Sequence, residues 1–174
     1  MNKKILYVLF FLLGLGGGLI YTRLSKGVIS YRPVHQPIAY SHKIHVHIKR
    51  KLACKACHQG VETKYHATLP SLKVCTSCHV EPQGKTEMEK RLIKQYIEPE
   101  KPIPWQRLFV LPDHVFFSHR LHVIRAKIEC QTCHGPMDLQ NRPPTRPLRV
   151  LTMNDCRRCH TKRNVSTDCN TCHH

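Results

Sequence analysis

Five copies of the pattern Cys-x-x-Cys-His run through the sequence and together use all ten of its cysteines. The two thiols of each copy are spaced by one helical turn, and a histidine directly follows the second thiol. This arrangement is typical of covalent haem c attachment, in which the thiols bond the two vinyl groups and the histidine binds the iron. We number the copies motifs 1 to 5 in chain order. The predicted thioether positions are Cys54 and Cys57, Cys75 and Cys78, Cys130 and Cys133, Cys156 and Cys159, and Cys169 and Cys172, and the predicted proximal iron ligands are His58, His79, His134, His160 and His173.

Zinc is the main alternative for paired cysteines, since Cys-x-x-Cys is also a zinc-ligand pair. Zinc sites use such pairs two at a time and do not require a following histidine, so five pairs with five histidines disfavour zinc. Iron–sulfur clusters do not require that histidine either. A thioredoxin-like motif would need a βαβ setting, and disulfides would not need this spacing. The sequence therefore predicts five covalent haem c groups.

The predicted fold class is mostly irregular with short α-helices, packed around five haems, plus one N-terminal transmembrane helix. Much of the apolar content of this 174-residue chain lies in its first twenty residues, which leaves little for a core. About 30 soluble residues per haem are too few to wrap each macrocycle separately. We therefore expect the haems to pack against one another and to form the core.

The chain is strongly basic, with 28 Lys and Arg against 11 Asp and Glu. Such a charge is typical of proteins that bind nucleic acid, anionic lipid or acidic partners. Haem propionates offset part of it, however, and the sequence has one Trp and no nucleic-acid recognition motif. We therefore expect no nucleic-acid partner.

Residues 5–21 are uncharged and largely apolar and follow Lys3 and Lys4. As a helix they would be ~26 Å long, near the lower limit of about 17 residues for a membrane span. No Ala-x-Ala-like cleavage site follows, so an uncleaved signal anchor is favoured over a cleaved signal peptide. Gly14 and Gly18 have the spacing that lets another helix approach closely. The prediction is a single-pass protein of the inner membrane with its haem domain on the periplasmic (outer) side.

An internal repeat organises the remainder of the chain. Ser41-His42-Lys-Ile-His45-Val46 precedes motif 1, and Ser118-His119-Arg-Leu-His122-Val123 precedes motif 3. Each half then contains two haem motifs. The predicted division is a signal anchor or transmembrane helix (1–22), a juxtamembrane linker (23–37), a first dihaem module with a trailing helix (38–98), a Pro-rich linker (99–117), a second dihaem module (118–160) and a terminal fifth-haem motif (161–174).

One clear helix is predicted at the end of the first module. Thr86 and Glu89 have capping-box spacing, and Pro99 ends the helix. Its apolar face is formed by Met88, Leu92 and Tyr96. The only strand signal of note is that of residues 107–111.

The sixth iron ligands must come from outside the motifs. In a helix, each His-x-x-His pair places two imidazoles on one side, far enough apart to reach two different irons. His42, His45, His119 and His122 are therefore the predicted distal ligands. The fifth distal ligand is left open between four residues, of which Met153 would raise its haem's potential relative to histidine. These candidates are Met153, His66, His114 and His174.

The sequence resembles the class III-type, cytochrome c7-like multihaem cytochromes, and among them the pentahaem subunit of alternative complex III and its multihaem relative in quinone-reductase complexes. The resemblance runs from about Ile38 to Cys159. It rests on Pro37–His45, Pro102–Arg107, Leu111–Val123 and Met153 with Cys156. Phe109 departs from the family, which usually has a histidine there.

This resemblance implies an N-terminal membrane anchor, bis-histidine haems with one His/Met haem at most, and a place in a quinol-linked membrane complex. The implied partners are integral-membrane and iron–sulfur subunits and other cytochromes c. It also favours Met153 as an axial ligand.

The predicted function is electron transfer without independent catalysis. One alternative is a stand-alone quinol dehydrogenase, but no acidic residue lies in or beside the apolar segment to accept protons, Glu62 being the first after it. The other is a multihaem reductase with an open haem site, which the spare histidines disfavour.

Overall fold

The computed structural model describes residues 3–25 and 33–174 of the chain. It divides the chain into two units, residues 1–32 and 33–174. The first unit contains helix α1 (Lys3–Ser25). Among the described residues, no helix has both the length and the apolar character that crossing a membrane requires. Residues 26–32 of the predicted juxtamembrane linker lie outside the described part of the chain.

The second unit consists of short helices joined by irregular segments, and each of the five motifs lies on one of them. The α-helices of residues 33–174 are α2 (Cys54–Cys57), α3 (Leu72–His79), α4 (Glu87–Leu92), α5 (Cys130–His134), α6 (Met153–Lys162) and α7 (Cys169–Cys172). The π-helical segments are Ile44–Lys49, Ile93–Ile97 and Arg120–Arg125, and the 3-10 turns are Gln59–Val61 and Met137–Leu139. The predicted fold class of short helices in an otherwise irregular chain is confirmed for this unit.

The strand signal of residues 107–111 is not realised. No strand forms in the described residues, where the β-type pairing is one isolated antiparallel bridge between Val115 and His173. Phe109 instead packs edge-on against His134, with ring centres 4.4 Å apart and planes at 89°. A strand needs a neighbouring strand to pair its backbone, and the described part of the chain supplies none beside this segment.

The helix predicted at the end of the first module is confirmed. It begins where the Thr86 hydroxyl accepts the backbone N–H of Glu89 (3.2 Å), and it continues through α4 into the π-helical segment Ile93–Ile97. Leu92 and Tyr96 are both buried on its apolar face. They form a cluster with Ile38 and Ile103, against which Met88 packs as the sequence predicts.

This cluster is small for a unit of residues 33–174. Among the described residues the buried apolar side chains are Ile38, Leu92, Ile93, Tyr96 and Ile103, and none is wholly buried. Large apolar side chains such as Phe116 and Leu121 are exposed. A domain of this size normally buries far more apolar surface. The small core agrees with the expectation that apolar cofactors complete it.

Candidate haem sites

The two His-x-x-His segments are capped in the same way. The Ser41 hydroxyl accepts the backbone N–H of Ile44 (3.2 Å), and the imidazole Nδ1 of His45 lies 2.8 Å from the Ser41 carbonyl oxygen. In the second copy, Ser118 makes the equivalent contacts: its hydroxyl accepts an N–H three residues on, and the Nδ1 of His122 lies 2.8 Å from its carbonyl oxygen. Serine is a favoured N-cap residue. The sequence repeat is therefore also a structural repeat.

An aromatic residue directly before each serine orients both histidines. Tyr40 lies edge-on to His42 (ring centres 5.0 Å apart, planes at 88°) and stacks on His45 (4.4 Å, 26°). Phe117 makes the same two contacts in the second repeat, at 4.9 Å and 88° and at 4.6 Å and 29°. Sequence reasoning missed these two residues. The signal was present, since an aromatic residue occupies the same place in both copies of the repeat.

The structure brings predicted distal histidines opposite motif histidines. The ring centres of three such pairs are 6.2 Å apart for His45 and His79, 6.2 Å for His119 and His134, and 6.1 Å for His122 and His160. A metal–imidazole bond is about 2 Å long and the ring centre lies roughly 1 Å further, so two imidazoles on opposite sides of one metal ion have centres about 6 Å apart. The three observed spacings fit that arrangement.

The potential metal-binding imidazoles lie in pairs. Among the described residues, no three His, Cys, Asp or Glu side chains converge on a point that a bare metal ion would occupy. A haem iron takes four ligands from its porphyrin and needs only the two axial ones from the protein. Paired imidazoles and nearby cysteine pairs therefore fit haem attachment, and all ten cysteines carry free thiols that are exposed or half-buried.

His42, the remaining member of the repeated pairs, is close enough to His58 of motif 1 to be affected by its charge. Its pKa is lowered to about 4, first by burial and then by the charges of His58 and His45. Its Nδ1 atom is buried without a hydrogen-bond partner. This imidazole is therefore held neutral, which is the form that binds a metal ion.

Several motif histidines are fixed through Nδ1, which leaves Nε2 for the iron. The Nδ1 of His160 lies 2.8 Å from the Ser166 carbonyl oxygen, and that of His58 lies 3.0 Å from the Thr68 carbonyl oxygen. Such bonds set the tautomer and the ring orientation of metal-binding histidines. Gly60 makes the second contact possible, because a Cβ there would lie 2.9 Å from a side-chain atom of Thr68.

His79 differs, because a carboxylate holds it. Its Nδ1 lies 2.8 Å from Oε1 of Glu89, and the same oxygen accepts the backbone N–H of Gln83 (2.6 Å). Burial tends to raise the pKa of Glu89, but these two bonds, the charge of His79 and a bond from the backbone of Gly84 together hold the pKa below its usual value. The predicted capping box with Thr86 is thus only half formed, since the carboxylate bonds to His79 and Gln83. Sequence reasoning missed this role.

Among the candidates for the fifth distal position, His114 lies beside a motif histidine. Its ring stacks on that of His173, with centres 5.4 Å apart and planes at 24°. The backbone holds the two together through the bridge between Val115 and His173 and through the N–H of Phe116, which donates to the carbonyl of Cys172 (2.8 Å).

The other candidates have different surroundings. Met153 is the first residue of α6 and is 59% exposed. The ring of His174 packs on Phe116, with centres 4.3 Å apart. His66 is exposed and contributes, after larger causes, to the lowered pKa of His119. Of the four candidates, His114 is the one whose ring stacks on that of a motif histidine.

The comparisons with known proteins agree with this geometry. The family described as cytochrome c7 and related cytochrome c matches residues 115–174, which contain the second repeat and motifs 3 to 5. A protein of Nitratidesulfovibrio vulgaris, named menaquinone reductase, multihaem cytochrome c subunit, is 30% identical in an alignment 182 positions long, which covers 93% of this chain and 86% of the relative. The resemblance to cytochrome c7-like proteins is thereby confirmed. The chain belongs to the multihaem c-type cytochromes, which bind haem c covalently.

Proposed function

We propose that the chain is the membrane-anchored, five-haem electron-transfer subunit of a quinone-linked redox complex. The main observation that supports this proposal is that the histidine of every motif has a second imidazole near it. His58 is close enough to His42 to lower its pKa, and the other four pairs have ring centres 5.4 to 6.2 Å apart. A haem iron with two imidazole ligands has no open position for a substrate. Paired histidines therefore favour an electron carrier over a reductase.

The protein's own part in this function is to position ligands and to set potentials. Bound haem supplies one-electron exchange at iron, whose potential depends on the axial ligands, on burial and on hydrogen bonds to those ligands. The serine caps and the aromatic residues Tyr40 and Phe117 fix the distal imidazoles in both repeats. The carbonyls of Thr68 and Ser166 and the carboxylate of Glu89 fix three of the motif imidazoles.

The quinone link is supported by the relative of Nitratidesulfovibrio vulgaris, which is named a subunit of a menaquinone reductase. We propose a similar place for this chain, among integral-membrane and iron–sulfur subunits. The narrower likeness to alternative complex III concerns the same class of complex and rests on the sequence alone. Purification of the tagged chain from native membranes, with identification of the bound subunits, distinguishes these two complexes. Recovery of the chain without any redox subunit would contradict both.

Membrane attachment through residues 1–22 is proposed from the sequence, because residues 5–21 carry no charge and follow two lysines. The proposed location is the inner membrane, with the haem domain on the periplasmic side, where haem c is attached. The test is carbonate extraction of membranes that contain the chain, compared with a variant that begins at residue 23 behind a cleavable signal. The full chain should stay with the membrane and the shortened one should be released.

Spectroscopy tests the ligand set. The intact mass of the purified chain should exceed that of the polypeptide by five haems. Electron paramagnetic resonance of the oxidised protein should show low-spin ferric signals alone. A high-spin signal that integrates to one haem in the wild-type chain would contradict the pure-carrier function and would support the alternative of a reductase with an open site.

A further inference from the structure

We infer that the five haem attachment sites lie in the spatial order 2–1–3–4–5, with motifs 2 and 5 at the two ends. The inference rests on the proposed function in one respect, since it takes one haem at each motif. It differs from the order of the motifs along the chain, in which motif 2 would lie between motifs 1 and 3. The order decides which sites can be approached by a partner protein from outside the array.

The His-x-x-His helices connect the sites within each module. His45 faces His79 of motif 2. The backbone N–H of Leu52, two residues before Cys54 of motif 1, donates to the carbonyl of His45 (3.1 Å), and His58 of motif 1 is close enough to His42 to lower its pKa. In the second repeat, His119 faces His134 of motif 3, and His122 faces motif 4. Ligands that share one helical turn serve adjacent sites. The helices therefore make motif 1 a neighbour of motif 2, and motif 3 a neighbour of motif 4.

A single loop connects motif 1 to motif 3. The Thr68 carbonyl oxygen lies 3.0 Å from the Nδ1 of His58, and the Tyr65 carbonyl oxygen lies 3.2 Å from the Nδ1 of His119. His119 in turn faces the motif 3 histidine, His134, in nearly parallel planes (5°). The loop of residues 65–68 thus orients one ligand of motif 1 and one ligand of motif 3.

The segment after motif 3 also lies against the first repeat. The backbone N–H of Lys43, next to His42, donates to the carbonyl of Gln140 (3.1 Å), and the Nε2 of His47 lies 2.9 Å from the carboxylate of Asp138. The thiols of Cys54 and Cys130 are close enough to affect each other: the pKa of Cys130 is raised to about 11, first by burial and then by Cys54. The two modules therefore meet through motifs 1 and 3.

Motifs 4 and 5 are joined by the turn between them. The Ser166 carbonyl oxygen lies 2.8 Å from the Nδ1 of His160, and the Ser166 hydroxyl bonds to that of Thr171 (3.0 Å), which lies between the two cysteines of motif 5. Burial raises the pKa of Cys156, and the thiols of Cys133 and Cys172 raise it further. Motif 4 thus has motif 3 on one side and motif 5 on the other.

Motif 2 lies at an end because polypeptide covers its other side. Leu72 and Cys75 of α3 pack against the apolar cluster that contains Leu92 and Tyr96, so α4 and its continuation occupy that side. On the remaining side, His45 faces His79 from the helical turn that it shares with His42.

Nuclear magnetic resonance of the full-length reduced protein in detergent tests the order. Replacement of one distal ligand by methionine shifts the signals of one haem and so identifies it: His45→Met for motif 2, His42→Met for motif 1 and His119→Met for motif 3. We expect nuclear Overhauser contacts between substituents of the haems at motifs 1 and 3, and between those at motifs 1 and 2. The exposed His35 supplies the control, and His35→Met should leave every haem signal in place.

The outcomes separate the order from the function. Contacts between the haems at motifs 2 and 3, without contacts between those at motifs 1 and 3, would overturn the order while five low-spin haems still support the carrier. An intact mass that shows fewer than five haems would instead overturn the proposed function. Redox titration is the second measurement: raising the potential at motif 2 by His45→Met should shift one neighbouring potential, that of motif 1, and leave motif 3 unmoved.

Discussion

The Nδ1 of His79 lies 2.8 Å from Oε1 of Glu89, ten residues further along the chain. A carboxylate therefore holds the predicted proximal imidazole of motif 2 in place. His58 and His160 are held by neutral backbone carbonyls instead. A carboxylate acceptor makes the imidazole a stronger electron donor and places negative charge near the metal. Both effects stabilise ferric iron over ferrous iron. The site at one end of the proposed array should therefore have a lowered potential.

Replacement of Glu89 by glutamine tests this relationship. Loss of the negative charge should raise the potential at motif 2 most, shift that of its proposed neighbour, motif 1, less, and leave the other three in place. A hydrogen bond to a charged group contributes about 1.5–3 kcal/mol, and because about 59 mV corresponds to a tenfold change for one electron, a part of that energy gives a shift on the order of tens of millivolts. Potentiometric titration followed by electron paramagnetic resonance measures it.

The control for Glu89→Gln is Glu87→Gln, on the same helix. Glu87 pairs with Lys90 (2.7 Å), and its side chain is 85% exposed on the protein surface. The control should leave all five potentials unchanged. Equal shifts in both variants would indicate a general effect of surface charge and would refute the role of Glu89 as a positioning residue for His79.

His114 and Met153 can be distinguished by truncating each to alanine. If His114 is the distal ligand at motif 5, His114→Ala opens that iron and yields a high-spin ferric signal equivalent to one haem. Met153→Ala should leave all haems low-spin, because His122 already faces the histidine of motif 4. The opposite pattern, with a high-spin haem in the methionine variant alone, would show that the thioether is the ligand.

Much of the site follows from local sequence. Both thiols and the proximal histidine of each motif are adjacent along the chain, and the His-x-x-His pairs lie on one helical turn. The sequence pattern does not predict contacts between residues that are far apart along the chain. His114 stacks on His173 because an isolated β-bridge between Val115 and His173 brings the two backbone segments together. No periodic pattern in the sequence predicts this contact.

Glu89 shows a second limit of sequence reasoning. Its spacing from Thr86 predicts a capping box, and Thr86 does accept the Glu89 N–H. The carboxylate, however, finds a better partner in His79, because an imidazole N–H and a backbone N–H converge on one oxygen. The complete capping box forms instead at Thr152 and Asp155, which the sequence analysis did not single out. Local patterns fix the helix starts, while tertiary contacts decide where side chains bond.

The apolar cluster around Tyr96 should dominate the polypeptide's own contribution to stability. Leu92 is buried there against Ile38 and Ile103. Leu92→Ala should lower the free energy of unfolding by about 2–5 kcal/mol, through lost burial and the cavity that remains. Guanidinium denaturation of the holoprotein, followed by circular dichroism, measures the loss. Val80→Ala is the matched control, because Val80 is 71% exposed, and a loss as large there would contradict the assignment of the core.

Asp155 gives α6 a stability that depends on pH. Its carboxylate accepts the hydroxyl (2.6 Å) and the backbone N–H (3.0 Å) of Thr152 and pairs with Arg158. These contacts, the Thr152 hydroxyl foremost, lower the pKa of Asp155 to about 2. Because the folded state favours the ionised form, the contribution is fully present above the ordinary value of 3.8 and is lost as pH falls toward about 2.

Asp155→Asn should therefore destabilise the protein at neutral pH and matter progressively less in acid. The difference in unfolding free energy between wild type and variant should stay constant from about pH 7 to about pH 5 and shrink from about pH 4 to about pH 2, since protonation removes the same charge that the substitution removes. Chemical denaturation at each pH measures the difference. Asp168→Asn, at the N-cap of α7, is the control for acid effects elsewhere in the chain. A difference that persists undiminished at pH 2 would show that the carboxylate's charge is not what stabilises the start of α6.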